Sequence, residues 1–230
     1  MVQPIPTYTG TLRSHSLTLP ACIHECSGIR IFGRLIRSLA FTTDVAIIKN
    51  INADAIIAVY PFTPQPVIAQ AIITVSDVPV FVGVGGGITT GARAVRLAVQ
   101  AEHQGAHGVV LNAPTPNEVI GQIKERVDLP VVITVVSAHT DIRGRLDAGA
   151  DILNVSGAGA TPDIVADIRQ DFPEVPIIAT GGPGGEYPPH HPSRSQCCDL
   201  YAARQWRSLC PAHDALSSNL LAYLFRPRLM

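Results

Sequence analysis

The chain repeats itself, and that repeat limits its fold more than any single motif does. Acid-x-Pro-(Val/Ile) stands at Asp77-Val-Pro-Val, Asp128-Leu-Pro-Val and Glu174-Val-Pro-Ile. Alanine followed by a polar residue stands between them, at Ala53-Asp54, Ala106-His107 and Ala150-Asp151, so that like elements recur every 44–53 residues. Each marker opens a short Val/Ile-rich run, and longer amphipathic runs lie between. Short, nearly continuous apolar runs read as strands buried on both faces, here 38–43, 55–60, 80–85, 108–112, 131–136, 152–156 and 177–180. Helical spacing covers 65–75, 91–104, 117–127, 141–148 and 163–171, with Thr115-Pro116 and Thr161-Pro162 as expected N-caps followed by proline at the first helical position. Strict β/α alternation means a parallel sheet. An open doubly wound sheet has no reason to repeat at every second strand, whereas a barrel builds its interior layers from alternate strands. The expected fold is therefore α/β, a (β/α)8 TIM barrel over 28–183, preceded by an extension at 1–27.

Composition narrows the classes. Hydrophobic residues make up 47% of the 230 and charged ones 15%, which excludes a disordered chain. Seventeen basic residues against 18 acidic give a net charge of −1, so nucleic acid is not the expected partner. No apolar run approaches the ~18 residues that span a bilayer, and 1–20 is polar and turn-rich rather than a secretory leader. Five cysteines are too few for a disulfide scaffold, and a reducing cytoplasm is the expected setting. The expected partner is a small molecule, with self-association into a homo-oligomer left open.

The repeat calls for an eighth strand near 195–205, where Ser195-Gln-Cys-Cys-Asp-Leu-Tyr-Ala-Ala-Arg-Gln-Trp does not fit the series. Composition changes after Gly182: the remainder holds three of five cysteines, the only tryptophan and three of eight histidines. Read one base later, plausible codons from Glu186 to Trp206 permit Ala-Gly-Ala-Asn, then Val-Ile-Tyr, then Thr-Pro-Pro. Residues 184–230 are therefore read as an out-of-frame tail and the eighth strand as missing or garbled. Without it, the first and seventh strands would be exposed edges.

A barrel's site lies at the C-terminal ends of its strands. Thr180-Gly181-Gly182, after the seventh strand, suits a phosphate, because bare backbone approaches closely and amides at a helix start donate. A plain tight turn is the alternative. Gly85, Gly86 and Gly87 could pack against a ligand or form only a loop. Asp44, beside Thr43, could be an acid/base or the cap of the next helix. His139 could be an acid/base or ligand contact, with Ser137 beside it and Asp141 capping the helix that follows. Asn112, Asn154 and Ser156, with Gly157, are neutral groups suited to orienting a polar substrate. Asp44, His139 and Asn154 are the catalytic candidates. No lysine ends a strand, which argues against Schiff-base chemistry. No strand-end cluster suggests a catalytic metal, and Cys22-Ile-His24-Glu-Cys26 has no partner pair. Gly-x-Ser-x-Gly is absent.

Gly28-Ile-Arg-Ile-Phe-Gly33, Thr43-Asp44, Ala58-Val-Tyr-Pro-Phe-Thr-Pro64, Gly83-Val-Gly-Gly-Gly87, Asn112-Ala-Pro-Thr115, Asp147-Ala-Gly-Ala-Asp-Ile-Leu-Asn-Val-Ser-Gly157 and Ile178-Ala-Thr-Gly-Gly-Pro183 together resemble a family of bacterial barrel proteins labelled only "hydrolase". The resemblance covers about residues 17–183. That family's next stretch, an Ala-Gly-Ala-Asn strand ending in Thr-Pro-Pro, is what the shifted frame restores. More distantly, Ala148-Gly-Ala-Asp and Ala179-Thr-Gly-Gly are similar to parts of inosine monophosphate dehydrogenase and nitronate monooxygenase. The resemblance implies a phosphate held at the strand 7/8 end.

Three functions are open on this reading. The first is an enzyme for a small phosphorylated metabolite, the second an FMN-dependent oxidoreductase, and the third a ligand-binding barrel without turnover. Resequencing the DNA across the codons for Gly181 to Trp206 is expected to show one surplus base or two missing ones; an intact frame contradicts the reading of the tail.

Overall fold

In the computed structural model, the described residues are 5–10, 12, 17–19, 23, 26–180 and the backbone of 197–199. The first elements are a two-stranded antiparallel hairpin, β1 (Ile29–Ile31) and β2 (Arg34–Ile36). Then follow β3 (Leu39–Phe41), α1 (Val45–Asn50), β4 (Ala55–Ala58), α2 (Pro66–Val75), β5 (Val80–Gly85), α3 (Gly91–His103), β6 (Gly108–Leu111) and α4 (Asn117–Lys124). The series ends with β7 (Val131–Val135), α5 (Ile142–Asp147), β8 (Ile152–Val155), α6 (Thr161–Asp171), β9 (Ile177–Thr180) and β10 (Cys197–Asp199). The strands from β3 to β10 form one parallel eight-stranded sheet in chain order, the (β/α) barrel architecture expected from the repeat.

Residues alternate between two cores, as the period of a strand requires. Ile56, Val82, Val109, Ile133, Leu153 and Ile177 pack outward against the helices. Leu39, Ala55, Ile57, Phe81, Val110, Val132, Ile152 and Ile178 fill the lumen. Ile29, Ile31 and Ile36 of the hairpin join the lumen cluster, so the hairpin closes the barrel floor. Its turn residues, Phe32 and Gly33, both have positive φ, 45° and 80°. That is the hand of turn that matches strand twist, and the glycine takes it without strain. The Phe32 ring meets His107 edge-on, with centroids 6.2 Å apart. Burial, with the charge of Arg34 second, lowers the His107 pKa from the ordinary histidine value.

The repeat markers do structural work at this same end. The carbonyls of Pro79, Pro130 and Pro176 accept from the amides of Ile56, Val109 and Leu153. Proline here removes only its own amide from the ladder, at the edge where a strand begins. Asp54 Oδ2 accepts from the amides of Arg37 (2.9 Å) and Ser38 (3.0 Å) and from the Ser38 hydroxyl (2.9 Å). Asp151 Oδ2 accepts from the Val131 amide at 2.8 Å, and both its oxygens take Lys124 Nζ, at 2.9 and 2.7 Å. The polar member of the Ala-polar marker therefore ties its strand to a neighbouring strand or to the floor. Leu17 is bound to the barrel as well, through Asn50 and Asn52.

Several expectations are corrected. Cys197–Asp199 forms a strand at the place the repeat demands, pairing parallel with Ile178–Thr180. The seventh barrel strand, β9, is thus not a free edge there, and β10 comes within 8 Å of β3 across the remaining gap, Cα to Cα. Thr115 is not an N-cap: Pro116 holds that position, and the Thr115 hydroxyl is buried with no hydrogen-bond partner among the described residues. Thr161 is the first residue of α6 rather than its cap, which is Ala160. No helix of the described residues is long and apolar enough to cross a membrane.

Phe81 fills the lumen only because Gly108 has no side chain. A Cβ on Gly108 would lie 2.5 and 2.6 Å from two Phe81 ring carbons. Gly108→Ala is expected to cost about 1–3 kcal/mol in urea unfolding, the range for overpacking a tight core.

Candidate functional site

At the C-terminal end the lumen changes character on one side only. Thr134, Asn154 and Thr180 follow the inward residues Val132, Ile152 and Ile178 at a spacing of two, so they face the lumen. They bond in series across neighbouring strands. Thr180 Oγ1 donates to Asn154 Oδ1 at 2.8 Å, and Asn154 Nδ2 donates to Thr134 Oγ1 at 3.4 Å. Asn154 is 3% exposed and Thr180 5%. An amide nitrogen carries two donors, so one Nδ2 hydrogen of Asn154 has no partner among the described residues. The opposite wall stays apolar: Phe41 and Val59 are half-buried and pack on the lumen cluster.

The Thr180 end is anchored from behind. The Thr161 hydroxyl donates to the Thr180 carbonyl at 3.1 Å and accepts from the Gly157 amide at 2.9 Å. The Gly157 amide is therefore occupied within the fold. A Cβ at Gly157 would lie 2.5 Å from Ile164 Cδ1, so the glycine lets this loop seat on α6. Ser156 is half-buried at the end of β8. Gly181 and Gly182, the expected phosphate glycines, lie outside the described residues.

The remaining candidates split between rim and scaffold. Asp44 is the N-cap of α1: its Oδ1 accepts from the amides of Ala46 (2.7 Å) and Ile47 (3.3 Å). Of the two roles open in the sequence, capping is the one this geometry displays. Thr43 beside it is exposed. His139 is exposed on the loop after β7, where its backbone amide donates to Ser137 Oγ at 3.2 Å. Asp141 caps α5, as expected, by accepting from the Gly144 amide at 2.9 Å.

The glycine run after β5 packs against the next loop. Gly86 has φ +101°, and a Cβ there would lie 2.6 Å from the Asn112 amide nitrogen and 2.7 Å from Thr115 Oγ1. Asn112 Nδ2 donates to the Gly86 carbonyl at 3.1 Å, and the Asn112 amide donates to the Gly85 carbonyl at 3.0 Å. Gly86 is thus glycine for both conformation and space, while Gly87 is exposed with nothing near its Cβ position. Arg145, from α5, holds the Asn112–Thr115 loop through the carbonyls of Ala113 (2.8 Å) and Thr115 and through Asn117 Oδ1 (2.8 Å).

The structure brings Asn154 and Thr180 together, with Ser156 at the same strand ends. It does not join Asp44 or His139 to them by any hydrogen bond among the described residues. Thr134, Phe41 and Val59 were missed in the sequence. Thr134 was legible in principle as the one polar residue in the Val131–Val135 strand, at the same inward offset as Asn154. No group of three or more His, Cys, Asp or Glu side chains among the described residues could hold a metal ion.

No protein-family model matches the chain, and no curated protein matches it. Solved structures do. One is 2,3-dimethylmalate lyase, described as a PEP mutase/isocitrate lyase superfamily member, with TM-score 0.57, 14% identity and coverage of 79% of this chain and 80% of that one. Another is phosphonopyruvate hydrolase in complex with oxalate and Mg++, with TM-score 0.56, 14% identity and coverage of 86% and 85%. A third is a mandelate oxidase variant with benzoyl-formic acid, with TM-score 0.50, 17% identity and coverage of 68% and 61%. At these identities the likeness is one of fold.

Asp44→Ala is expected to cost about 1 kcal/mol in urea unfolding, the value of an N-cap, and Asp44→Asn close to nothing. Equal losses from both would contradict the capping role.

Proposed function

We propose that this barrel is an enzyme for a small phosphorylated metabolite, bound at the C-terminal mouth against Asn154 and Thr180. The single observation that carries the reading is the Thr134–Asn154–Thr180 series, with Asn154 and Thr180 buried and Thr134 half-buried, in an otherwise apolar lumen. A buried polar group is retained only when it is bonded, and a core of Val and Ile would fill this space without any such groups. The unpartnered Nδ2 hydrogen of Asn154 is a neutral donor suited to an anionic or carbonyl oxygen. The distant resemblance to inosine monophosphate dehydrogenase and nitronate monooxygenase, which implies a phosphate at the strand 7/8 end, and the presence of phosphonopyruvate hydrolase among proteins of similar fold support the same class of ligand. Hydrolysis itself is dictated by no residue set at the mouth, so the proposal stops at substrate class.

In this site Thr180 orients. Its hydroxyl holds Asn154 Oδ1, which fixes the amide so that Nδ2 is the end left for a ligand. Asn154 binds, and the apolar wall of Phe41 and Val59 lowers the local dielectric and strengthens that hydrogen bond. Ser156 and His139 are at the ends of the same group of strands, where they would meet the outer part of a ligand, Ser156 as a neutral hydrogen-bonding group and His139 as the acid/base candidate. Cytoplasmic location and action without a nucleic-acid or membrane partner belong to this proposal.

Thermal-shift measurements on the full chain with inorganic phosphate, phenyl phosphate and flavin mononucleotide test it. Stabilisation by a phosphate compound is expected, and Asn154→Ala should weaken binding about tenfold or more, as removing a hydrogen bond to a charged group does. No stabilisation by any of them would overturn the reading. Stabilisation by the flavin alone would replace it with the oxidoreductase.

A further inference from the structure

The polar series occupies only part of the mouth. Thr134, Asn154 and Thr180 come from β7, β8 and β9, which are adjacent in the sheet. Across the lumen, the matching wall is Phe41 at the end of β3 and Val59 just after β4. The loops that follow β4 and β5 carry two exposed apolar side chains. Phe62, in the loop after β4, is 74% exposed, and Ile88, at the tip of the glycine loop after β5, is 95% exposed. β3, β4 and β5 are also neighbours, so the loops that carry Phe62 and Ile88 leave adjacent strand ends. The contrast extends to the spacing of the wall. A Cβ on Gly83 would lie 3.1 Å from Val59 Cγ2, so the glycine on β5 leaves Val59 its place in the lumen.

Exposed aliphatic and aromatic side chains cost nothing singly, but a set of them on the loops of a binding mouth is an apolar surface that a ligand can cover. We infer that the mouth is divided, and that the substrate is a phosphate ester or phosphonate bearing a hydrocarbon group, whose polar end meets β7–β9 and whose hydrocarbon end covers Phe41, Val59, Phe62 and Ile88. The inference rests on the proposed phosphate-binding mouth and adds which part of the ligand each side takes. Ile88 and Phe62 are its specificity residues. They touch the hydrocarbon group and leave the polar end to Asn154.

Isothermal titration of the full chain with inorganic phosphate, methyl phosphate, butyl phosphate and phenyl phosphate tests the division. Affinity is expected to rise along the alkyl series by about fourfold per buried methylene. Ile88→Ser and Phe62→Ser, at exposed positions that leave the core untouched, should flatten that rise without weakening inorganic phosphate. Val59→Thr, close to isosteric, should flatten it from within the lumen. If all four compounds bind equally, the division is wrong while the phosphate-binding mouth stands. If the rise persists in all three variants, the hydrocarbon group lies elsewhere and the inference fails. If none of the compounds binds, both the mouth reading and the inference fall. If Ile88→Ser instead abolishes self-association seen by sedimentation and leaves the series unchanged, the exposed apolar pair is a contact between copies and not a ligand surface.

Discussion

The barrel strands β3 to β9 are buried on both faces, and this governs where polar chemistry can exist among the described residues. Outward residues meet the helices and inward residues meet one another, so a strand interior has no cheap place for a hydrogen-bonding side chain. At the floor the polar groups are consumed by construction. Asp54 and Asp151 close amides at strand starts, the proline carbonyls accept from the neighbouring strands, and the hairpin seals the lumen with Ile29, Ile31 and Ile36. What remains is the upper lumen, where Thr134, Asn154 and Thr180 interrupt the apolar filling on one side.

The loops above that layer are cross-braced. Asn112 ties the glycine turn to the loop after β6, and Arg145 ties that loop to α5. Asp141 fixes the start of α5 just beyond the Ser137–His139 turn. The rim from β5 to β7 is thus one connected network, made largely by neutral groups and a single guanidinium bonded to carbonyls. Such a rim gives a stable opening to a lumen whose two walls differ in polarity.

Much of the fold was legible because its signals are periodic. The Val/Ile runs gave β3 to β9 with boundaries off by a residue or two, and the helices at α3 and α4 followed from their apolar spacing. The hairpin was not found, because Phe32 in a left-handed turn carries no Asn, Asp or Gly signal beyond Gly33. The helix starts at Thr115 and Thr161 were misplaced for a tertiary reason: the Thr161 hydroxyl is committed to Thr180 and Gly157, and Pro116 takes the cap position at α4. At the site, Asn154, Ser156 and Thr180 were identified from strand ends. Asp44 was ambiguous between chemistry and capping until its bonds to Ala46 and Ile47 could be seen. Thr134, Phe41 and Val59 escaped because nothing in a single strand tells which offset faces a lumen; that requires the register of several strands together.

The account depends on the Asn154 side-chain amide being a ligand group and not only a link in a buried network. The direct measurement is the Asn154 Nδ2 resonance pair in an ¹⁵N-edited spectrum of the full chain, assigned through Asn154→Asp and followed while phenyl phosphate is added. The account predicts that this pair shifts progressively with the same dissociation constant as the bulk binding curve. Saturable binding that leaves the pair unmoved, with shifts confined to the outer face of the helices, would contradict it.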